Sequence, residues 1–239
     1  MTAVSREWFS KNDLDRIGGI KNYMEPIYED IFSTRKDIYK VCDVGCGNGF
    51  FSKSLLHNNG IELHGLDASH YGLEQAKILG YKKTIKVNDF SVDKLPYENN
   101  EFDLVICKDV LEHLFDPLHL LSELKRITKD TGLIFLLVPN HFTIFHRLKF
   151  VFSINIDTQN YFPDAKEWNY PHIRFFSQKG MKLFLKEIDL VTEKNYCHHF
   201  SYFPFLRRFP GGSLIKRWLS RQWPSAFSTA LAMTVKKGK

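Results

Sequence analysis

The stretch Val41–Phe51, VCDVGCGNGFF, restricts the fold of this chain more than any other part of it. A short β-prone run, Tyr39–Val44, carries an acidic residue near its end, Asp43. Glycines then occupy alternate positions, Gly45, Gly47 and Gly49, and an apolar stretch begins with Phe50, Phe51, Leu55 and Leu56. A strand that turns tightly into a helix with almost no side chains at the bend lets a ligand lie against bare backbone. Spacing narrows the ligand. The dinucleotide fingerprint is G-x-G-x-x-G, and the phosphate loop is G-x-x-x-x-G followed by Lys and Ser or Thr. Here the pattern is D-x-G-x-G-x-G with no Lys-Ser/Thr after it, which disfavours a nucleotide-dependent oxidoreductase.

The turn is the first of a series. A helix to about His57 leads to a second strand, Ile61–Leu66, ending at Asp67. Ser69–Leu79 reads as a helix, and a third strand, Thr84–Val87, runs into Asn88, Asp89 and Phe90. Phe102–Cys107, FDLVIC, has the continuous apolar character of a strand buried on both faces. Asp116 and Pro117 suit the start of an amphipathic helix through Lys129, as N-cap and first-turn residue. Another apolar strand, Leu133–Val138, stops at Pro139. Such a rhythm predicts parallel strands joined by right-handed crossovers, with ligand at their carboxyl ends. Beyond residues 140–171, which have no such rhythm, Ser177–Ile188 reads as a helix, and Leu190–Tyr196 and Ala226–Val235 as two final strands, paired antiparallel at one edge.

The glycine turn, Asp67, Asp89 and the run FDLVICKDVLEHLFDP together resemble the class I S-adenosylmethionine (SAM) methyltransferases of the ubiquinone-biosynthesis O-methyltransferase-like, type 11 group. The resemblance covers Tyr39–Pro139 closely and the remainder loosely. It implies a Rossmann-like α/β fold: a doubly wound, mostly parallel, seven-stranded sheet in a single domain spanning residues 1–239. Residues 1–38 are then a helical lead-in lying over the cofactor, and 140–171 a substrate-side insertion. It further implies that Asp43, Asp67 and Asp89 anchor the amino, ribose and adenine groups of SAM, that Phe90 covers the adenine ring, and that Gly45, Gly47 and Gly49 shape the turn. Asp43 is also expected to brace that turn through backbone N–H groups. SAM has no phosphates, which agrees with the missing phosphate-binding lysine.

A nucleophilic hydroxyl must lose a proton during methyl transfer, and His113 and His172 are the candidate bases. If their turn is helical, Asp109, Glu112 and His113 share one face, and with His172 they compose a plausible set of ligands for a divalent metal such as Mg²⁺. That set resembles the metal site of the small-RNA 2′-O-methyltransferases, although Asp109 stands where a longer Glu is expected and Lys108 beside it can pair with it. A metal-free site with a histidine base, or positioning alone, stays open.

The acceptor is bounded only by composition. A formal charge of +6 on 239 residues permits an anionic substrate, nucleic acid or membrane surface without demanding one. Aromatic and basic residues mix in the 140–171 insertion and in Phe200–Trp223, which suits a lipid-linked acceptor met by peripheral membrane contact, RNA, or plain core and solvated rim. With no RNA-binding module beside the domain and a mild net charge, a small or lipid-linked acceptor is favoured over RNA. O-methylation of such an acceptor is the leading reading. RNA 2′-O-methylation with a metal, or a non-catalytic SAM-fold binding protein, are the alternatives. Four cysteines without a C-x-x-C pair suit reduced thiols and a cytoplasmic protein.

Overall fold

The computed structural model describes residues 22–57, 60–152, 172–201 and 211–238. Seven strands form one sheet: β1 (Lys40–Val44), β2 (Glu62–Asp67), β3 (Lys83–Lys86), β4 (Phe102–Lys108), β5 (Thr128–Pro139), β6 (Leu190–Asn195) and β7 (Ala230–Lys237). Their order is β3-β2-β1-β4-β5-β7-β6. Pairing among the first five is parallel, and β7 is antiparallel to both β5 and β6. The expected seven-stranded, mostly parallel sheet is therefore present, with its antiparallel pair at one edge.

Parallel registers place Val44 beside both Leu66 and Cys107, and Asp67 beside Lys86, so the carboxyl ends of β1 to β4 line up along one edge. The core lies on both faces of the sheet. One cluster contains Val105, Leu120, Leu124 and Leu136; the other contains Val41, Leu104, Phe135 and Ala232. Alternate residues of β4 and β5 thus face opposite layers, and both faces are apolar, which is why those strands read as unbroken hydrophobic runs.

The helices are α1 (Glu25–Thr34), α2 (His70–Leu79), α3 (Pro117–Ile127), α4 (Ile144–Val151), α5 (Gln178–Glu187), α6 (Gly212–Gln222) and the short α7 (Pro224–Phe227). Local chemistry sets their starts. The side chains of Ser69, Asp116, Thr143 and Ser177 accept hydrogen bonds from the backbone N–H groups of Gly72, His119, His146 and Gly180. Ile27 and Ile31 of α1 are fully buried against the second core cluster, and Asn22 donates to the Phe51 carbonyl at 3.0 Å, tying the lead-in to the glycine turn.

Several boundaries differ from expectation. After the glycine turn the chain makes only a 3₁₀ segment, Lys53–His57, rather than a full helix. β5 starts at Thr128 because Thr128 pairs with Phe102 ahead of an irregularity in the ladder. The last strand starts at Ala230, not Ala226, because Pro224 opens α7 just before it. The basic stretch before it is helical as α6 rather than a loop. Trp8, Phe9, Ile20 and most of the 140–171 insertion lie outside the described residues.

Phe135 is fully buried at the centre of β5, with its ring 6.1 Å from that of Tyr196. Phe135→Ala is expected to lower unfolding free energy by about 3–5 kcal/mol, read from the chemical denaturation midpoint at an unchanged slope.

Candidate functional site: a glycine-turn cavity and a neighbouring carboxylate–histidine cluster

The turn after β1 is held by main-chain bonds that its sequence permits. Gly45 and Cys46 both donate to the Leu66 carbonyl, at 2.7 and 3.0 Å, and Gly49 donates to the Cys46 carbonyl at 2.9 Å. Gly45, Gly47 and Gly49 all have positive φ, at 75°, 53° and 78°. A Cβ on Gly45 would run into Val110 in the turn after β4, so that position excludes even alanine. Gly72 on α2, which the sequence reading did not single out, lets the helix approach within 2.8 Å of the Gly47 carbonyl as measured from a hypothetical Cβ.

Asp67, rather than Asp43, braces the turn. Its Oδ2 accepts the Gly47 N–H at 2.7 Å and its Oδ1 the Ser69 N–H at 2.8 Å. Burial pushes its pKa up, against these backbone bonds that pull it down. Each oxygen retains a further acceptor site, so the carboxylate can still receive a ligand hydroxyl.

Asp43 is buried and spoken for by side chains, not backbone. Tyr81 donates its hydroxyl to Oδ2 at 2.9 Å, Ser52 donates also, and Ser52 is in turn 3.1 Å from the Tyr28 hydroxyl. Burial raises the Asp43 pKa to about 6, opposed by the two hydroxyls and by the Lys108 ammonium. The expected brace from Asp43 to backbone N–H groups is thus replaced by a buried hydroxyl network, because the turn's own N–H groups are already taken by Leu66, Cys46 and Asp67.

A cavity of about 210 Å³ opens above this network, lined by Asp43, Gly45, Gly47, Ser52, Lys108 and Tyr23 among others. Lys108 ends β4, and its Nζ lies 2.5 Å from Asp109 Oδ2, 3.3 Å from the Tyr23 hydroxyl and 4.0 Å from the centre of the Phe51 ring. Desolvation works against its charge, but the Asp109 carboxylate outweighs it and keeps the ammonium protonated. A buried carboxylate and a half-buried ammonium therefore face the same small cavity.

Asp89 and Phe90 follow β3, away from that cavity's lining. Asp89 is half-buried and accepts the Ser91 N–H at 2.8 Å. Phe90 is 7% exposed within the larger core cluster, so most of the ring expected to cover adenine is engaged with protein.

The second half of the site begins at Asp109. Its φ of 53° turns the chain, and Leu111–His113 is one 3₁₀ turn, so Asp109, Glu112 and His113 do not share the helical face that was expected. Asp109 turns to Lys108 and the cavity, while Glu112, His113 and His172 come together with candidate ligand atoms all within 4.8 Å of one another. Glu112 Oε1 lies 4.0 Å from Nε2 of both histidines. The chain after residue 171 is fixed there by backbone, because Ile173 and Arg174 donate to the Glu112 carbonyl at 2.8 and 3.0 Å.

Glu112 is fully buried, and among the described residues neither carboxylate oxygen has a hydrogen-bond partner. Burial, with Asp109 second, raises its pKa to about 8. Such a group needs a proton or a cation. Two ligand atoms each about 2.0–2.2 Å from one ion stand roughly 4 Å apart when nearly opposed and closer otherwise, so the spacing accommodates a metal after slight contraction. One carboxylate with two imidazoles suits Zn²⁺ or a similar transition ion better than Mg²⁺, which prefers oxygen.

His141 is the residue the sequence reading missed. It is buried just past β5, and its Nε2 is 3.0 Å from His172 Nδ1, as in the partner bond that orients a metal-ligating histidine. The signal was available: His141 lies just past the carboxyl end of β5, and the other site residues also sit at or near the carboxyl ends of strands. Burial lowers the His172 pKa to about 4, with His113 adding to it, and burial likewise lowers His141 to about 4. A neutral imidazole of that basicity is a good ligand and a weak base at neutral pH.

Comparison with known proteins agrees with this geometry. Residues 42–136 match the family described as "Methyltransferase domain". Over these residues the chain is similar to the class I SAM-dependent methyltransferases. Among curated relatives, a ubiquinone biosynthesis O-methyltransferase from Rickettsia prowazekii is 32% identical over 137 residues, covering 54% of this chain and 53% of the relative. A tRNA U34 carboxymethyltransferase from Campylobacter jejuni is 36% identical over 98 residues, covering 40% of this chain and 34% of the relative. The matches thus span between a third and about half of those relatives' lengths. A SAM-dependent methyltransferase structure from Archaeoglobus fulgidus superposes with a TM-score of 0.61 at 18% identity, over 95% of this chain and all of that one, which shows a shared fold.

Two outcomes test the site. Gly45→Ala is expected to displace Val110 and weaken SAM binding by more than about tenfold, measured by calorimetry, because the residue must keep positive φ and has no room for a methyl. For Glu112 the folded pKa stands above the ordinary value of 4.5, so the folded chain binds the extra proton. Stability is present below about pH 4.5 and is progressively lost as pH rises towards about 8. In metal-free protein, Glu112→Gln should flatten that decline in urea melts taken across this range.

Proposed function

We propose that this protein transfers a methyl group from SAM to a hydroxyl of a small or lipid-linked acceptor. The observation that carries the reading is the pairing of Asp43 and Lys108 in one glycine-lined cavity, beside Glu112, His113 and His172 at the same sheet edge. An α-amino acid tail presents an ammonium and a carboxylate, which Asp43 and Lys108 would receive. Asp67 would hold the ribose from the end of β2 and Asp89 the adenine from the end of β3, with Gly45, Gly47 and Gly49 admitting the ligand to the backbone.

SAM supplies a methyl group already activated on a sulfonium, so no covalent intermediate with the protein is required. The chain's part is to hold nucleophile and methyl carbon in line, a contribution worth about 7–11 kcal/mol where alignment is good. Near the acceptor, His113 would take up the hydroxyl proton, with Glu112 and His172 beside it. A divalent ion held by these three residues, with His172 oriented by His141, would lower the pKa of that hydroxyl. Asp109, paired with Lys108, would serve the cofactor cavity instead of the metal.

The described residues contain no helix long and apolar enough to cross a membrane. The relatives' names divide between a ubiquinone-pathway O-methyltransferase and a tRNA-modifying enzyme. The small or lipid-linked acceptor is favoured here because the apolar character of α4, next to the cluster, suits a hydrophobic molecule; a metal-dependent RNA 2′-O-methyltransferase is the second reading.

Calorimetry with SAM and with NAD should give binding to SAM alone, reduced at least about tenfold in Asp67→Ala through loss of charge-assisted hydrogen bonds. Affinity for SAM should also fall as pH drops below about 6, where Asp43 takes a proton. Labelled SAM incubated with a cell extract, followed by mass analysis, identifies the acceptor. Loss of turnover on chelation and in His172→Ala is the expected sign of a metal; turnover surviving both, and His113→Ala as well, would rule it out.

A further inference from the structure

Two helices near the carboxyl end of β5 present apolar side chains to solvent. On α4, IFHRLKFV, Leu148, Phe150 and Val151 are exposed, Val151 at 74%, and Phe152 at its C-cap is 66% exposed. On α6, GSLIKRWLSRQ, Leu214, Ile215 and Trp218 are 70%, 48% and 55% exposed. Trp223, just past α6, is exposed too, and its ring meets that of Trp218 edge-on with centroids 5.6 Å apart.

The charges on these helices are of one sign. α4 carries Arg147 and Lys149, α6 carries Lys216, Arg217 and Arg221, and neither helix contains an acidic residue. Both helices pack against α7. Asn140 fixes α7 by donating its side-chain amide to the carbonyls of Ser225 and Ser228, at 3.2 and 2.8 Å. Asn140 immediately precedes His141, the partner of His172. The exposed apolar and basic surface is therefore built onto the wall of the carboxylate–histidine cluster.

We infer that α4 and α6 dock this protein on an anionic lipid surface, with Leu148, Val151, Leu214, Ile215 and Trp218 entering the headgroup region and the basic residues meeting lipid phosphates. Amphipathic helices with apolar residues on one side and Lys and Arg on the other bind in this manner. The aliphatic side chains decide against nucleic acid. Phosphate contacts and base stacking use cations and aromatic rings, whereas exposed Leu, Ile and Val gain nothing from a polyanion in water. The docking surface stands on exposure and charge alone. Its further consequence, delivery of a lipid-linked acceptor to the cluster directly from the membrane, rests on the methyl-transfer reading.

The test is sedimentation of the full chain with vesicles of phosphatidylcholine containing phosphatidylglycerol, and with vesicles of phosphatidylcholine alone, at low and high salt. Binding is expected to the anionic vesicles and to weaken with salt. It should fall at least about tenfold in the Leu214→Asp, Trp218→Asp double variant and in the Arg217→Glu, Arg221→Glu double variant. Thermal melting and SAM calorimetry on the same samples report folding and the cofactor site, and Val151→Asp on α4 gives an independent disruption should an α6 variant misfold. Equal binding to neutral vesicles, or no sedimentation with either kind, overturns the proposal. So does binding to transfer RNA that survives Leu214→Asp, Trp218→Asp while vesicles are ignored. A chain that sediments with anionic vesicles but fails to bind SAM keeps the docking surface and sinks the methyl-transfer reading instead.

Discussion

The bond from the Gly47 N–H to the Asp67 carboxylate is the constraint on which the site depends. It joins the turn after β1 to the end of β2, and so fixes the relative position of two neighbouring strand ends where a ligand must fit. Parallel pairing brings those ends to one edge, but pairing alone does not shape a cavity. The turn takes its form because three of its residues adopt positive φ and because Leu66 and Asp67 accept its N–H groups. A side chain at Gly45 would meet Val110, so the glycine turn also sets how closely the chain leaving β4 can approach. From that approach follow the places of Lys108, Asp109 and the turn that presents Glu112.

Charge at these strand ends differs from that of the exposed ion pairs. Ion pairs such as Arg35–Asp37 and Lys194–Asp30 have well-exposed carboxylates, where water screens them and they add little stability. At the strand ends, Asp43, Lys108 and Glu112 are desolvated. Asp43 is held by hydroxyls and Lys108 by Asp109, while among the described residues Glu112 has imidazoles no nearer than 4.0 Å. A buried carboxylate left in that condition weakens a fold, and its retention is understandable where a ligand or ion completes it.

The sheet was largely legible in the sequence, because continuous apolar runs such as FDLVIC and alternating helix signals leave few arrangements open to a chain of this length. Asp67 and the glycines were legible for a related reason: strand ends are easy to find, and acids or glycines there have few structural uses. Boundaries failed where a local effect overrode the pattern, as Pro224 did ahead of β7. The clustering of His172 with Glu112 followed from the return of the chain to the sheet edge, yet Asp109 was misplaced because nothing in the sequence announces a positive φ at an aspartate. His141 was missed because its importance comes from a contact across thirty-one positions of sequence, which spacing alone does not reveal.

Tyr81 has a wider reach than its place at the start of β3's approach suggests. Gly49 and Gly65 both lack side chains where its ring lies, since a Cβ on either would come within 2.7 and 2.9 Å of it, and its hydroxyl ends on Asp43. One aromatic wedge therefore sets the floor under the bend, the middle of β2 and the acid of β1 at once. A cavity founded on such a keystone is finished before anything enters it. An incoming small molecule has to shed its own water and freedom, but asks little rearrangement of the polypeptide beneath, which is the economy of a preorganised site.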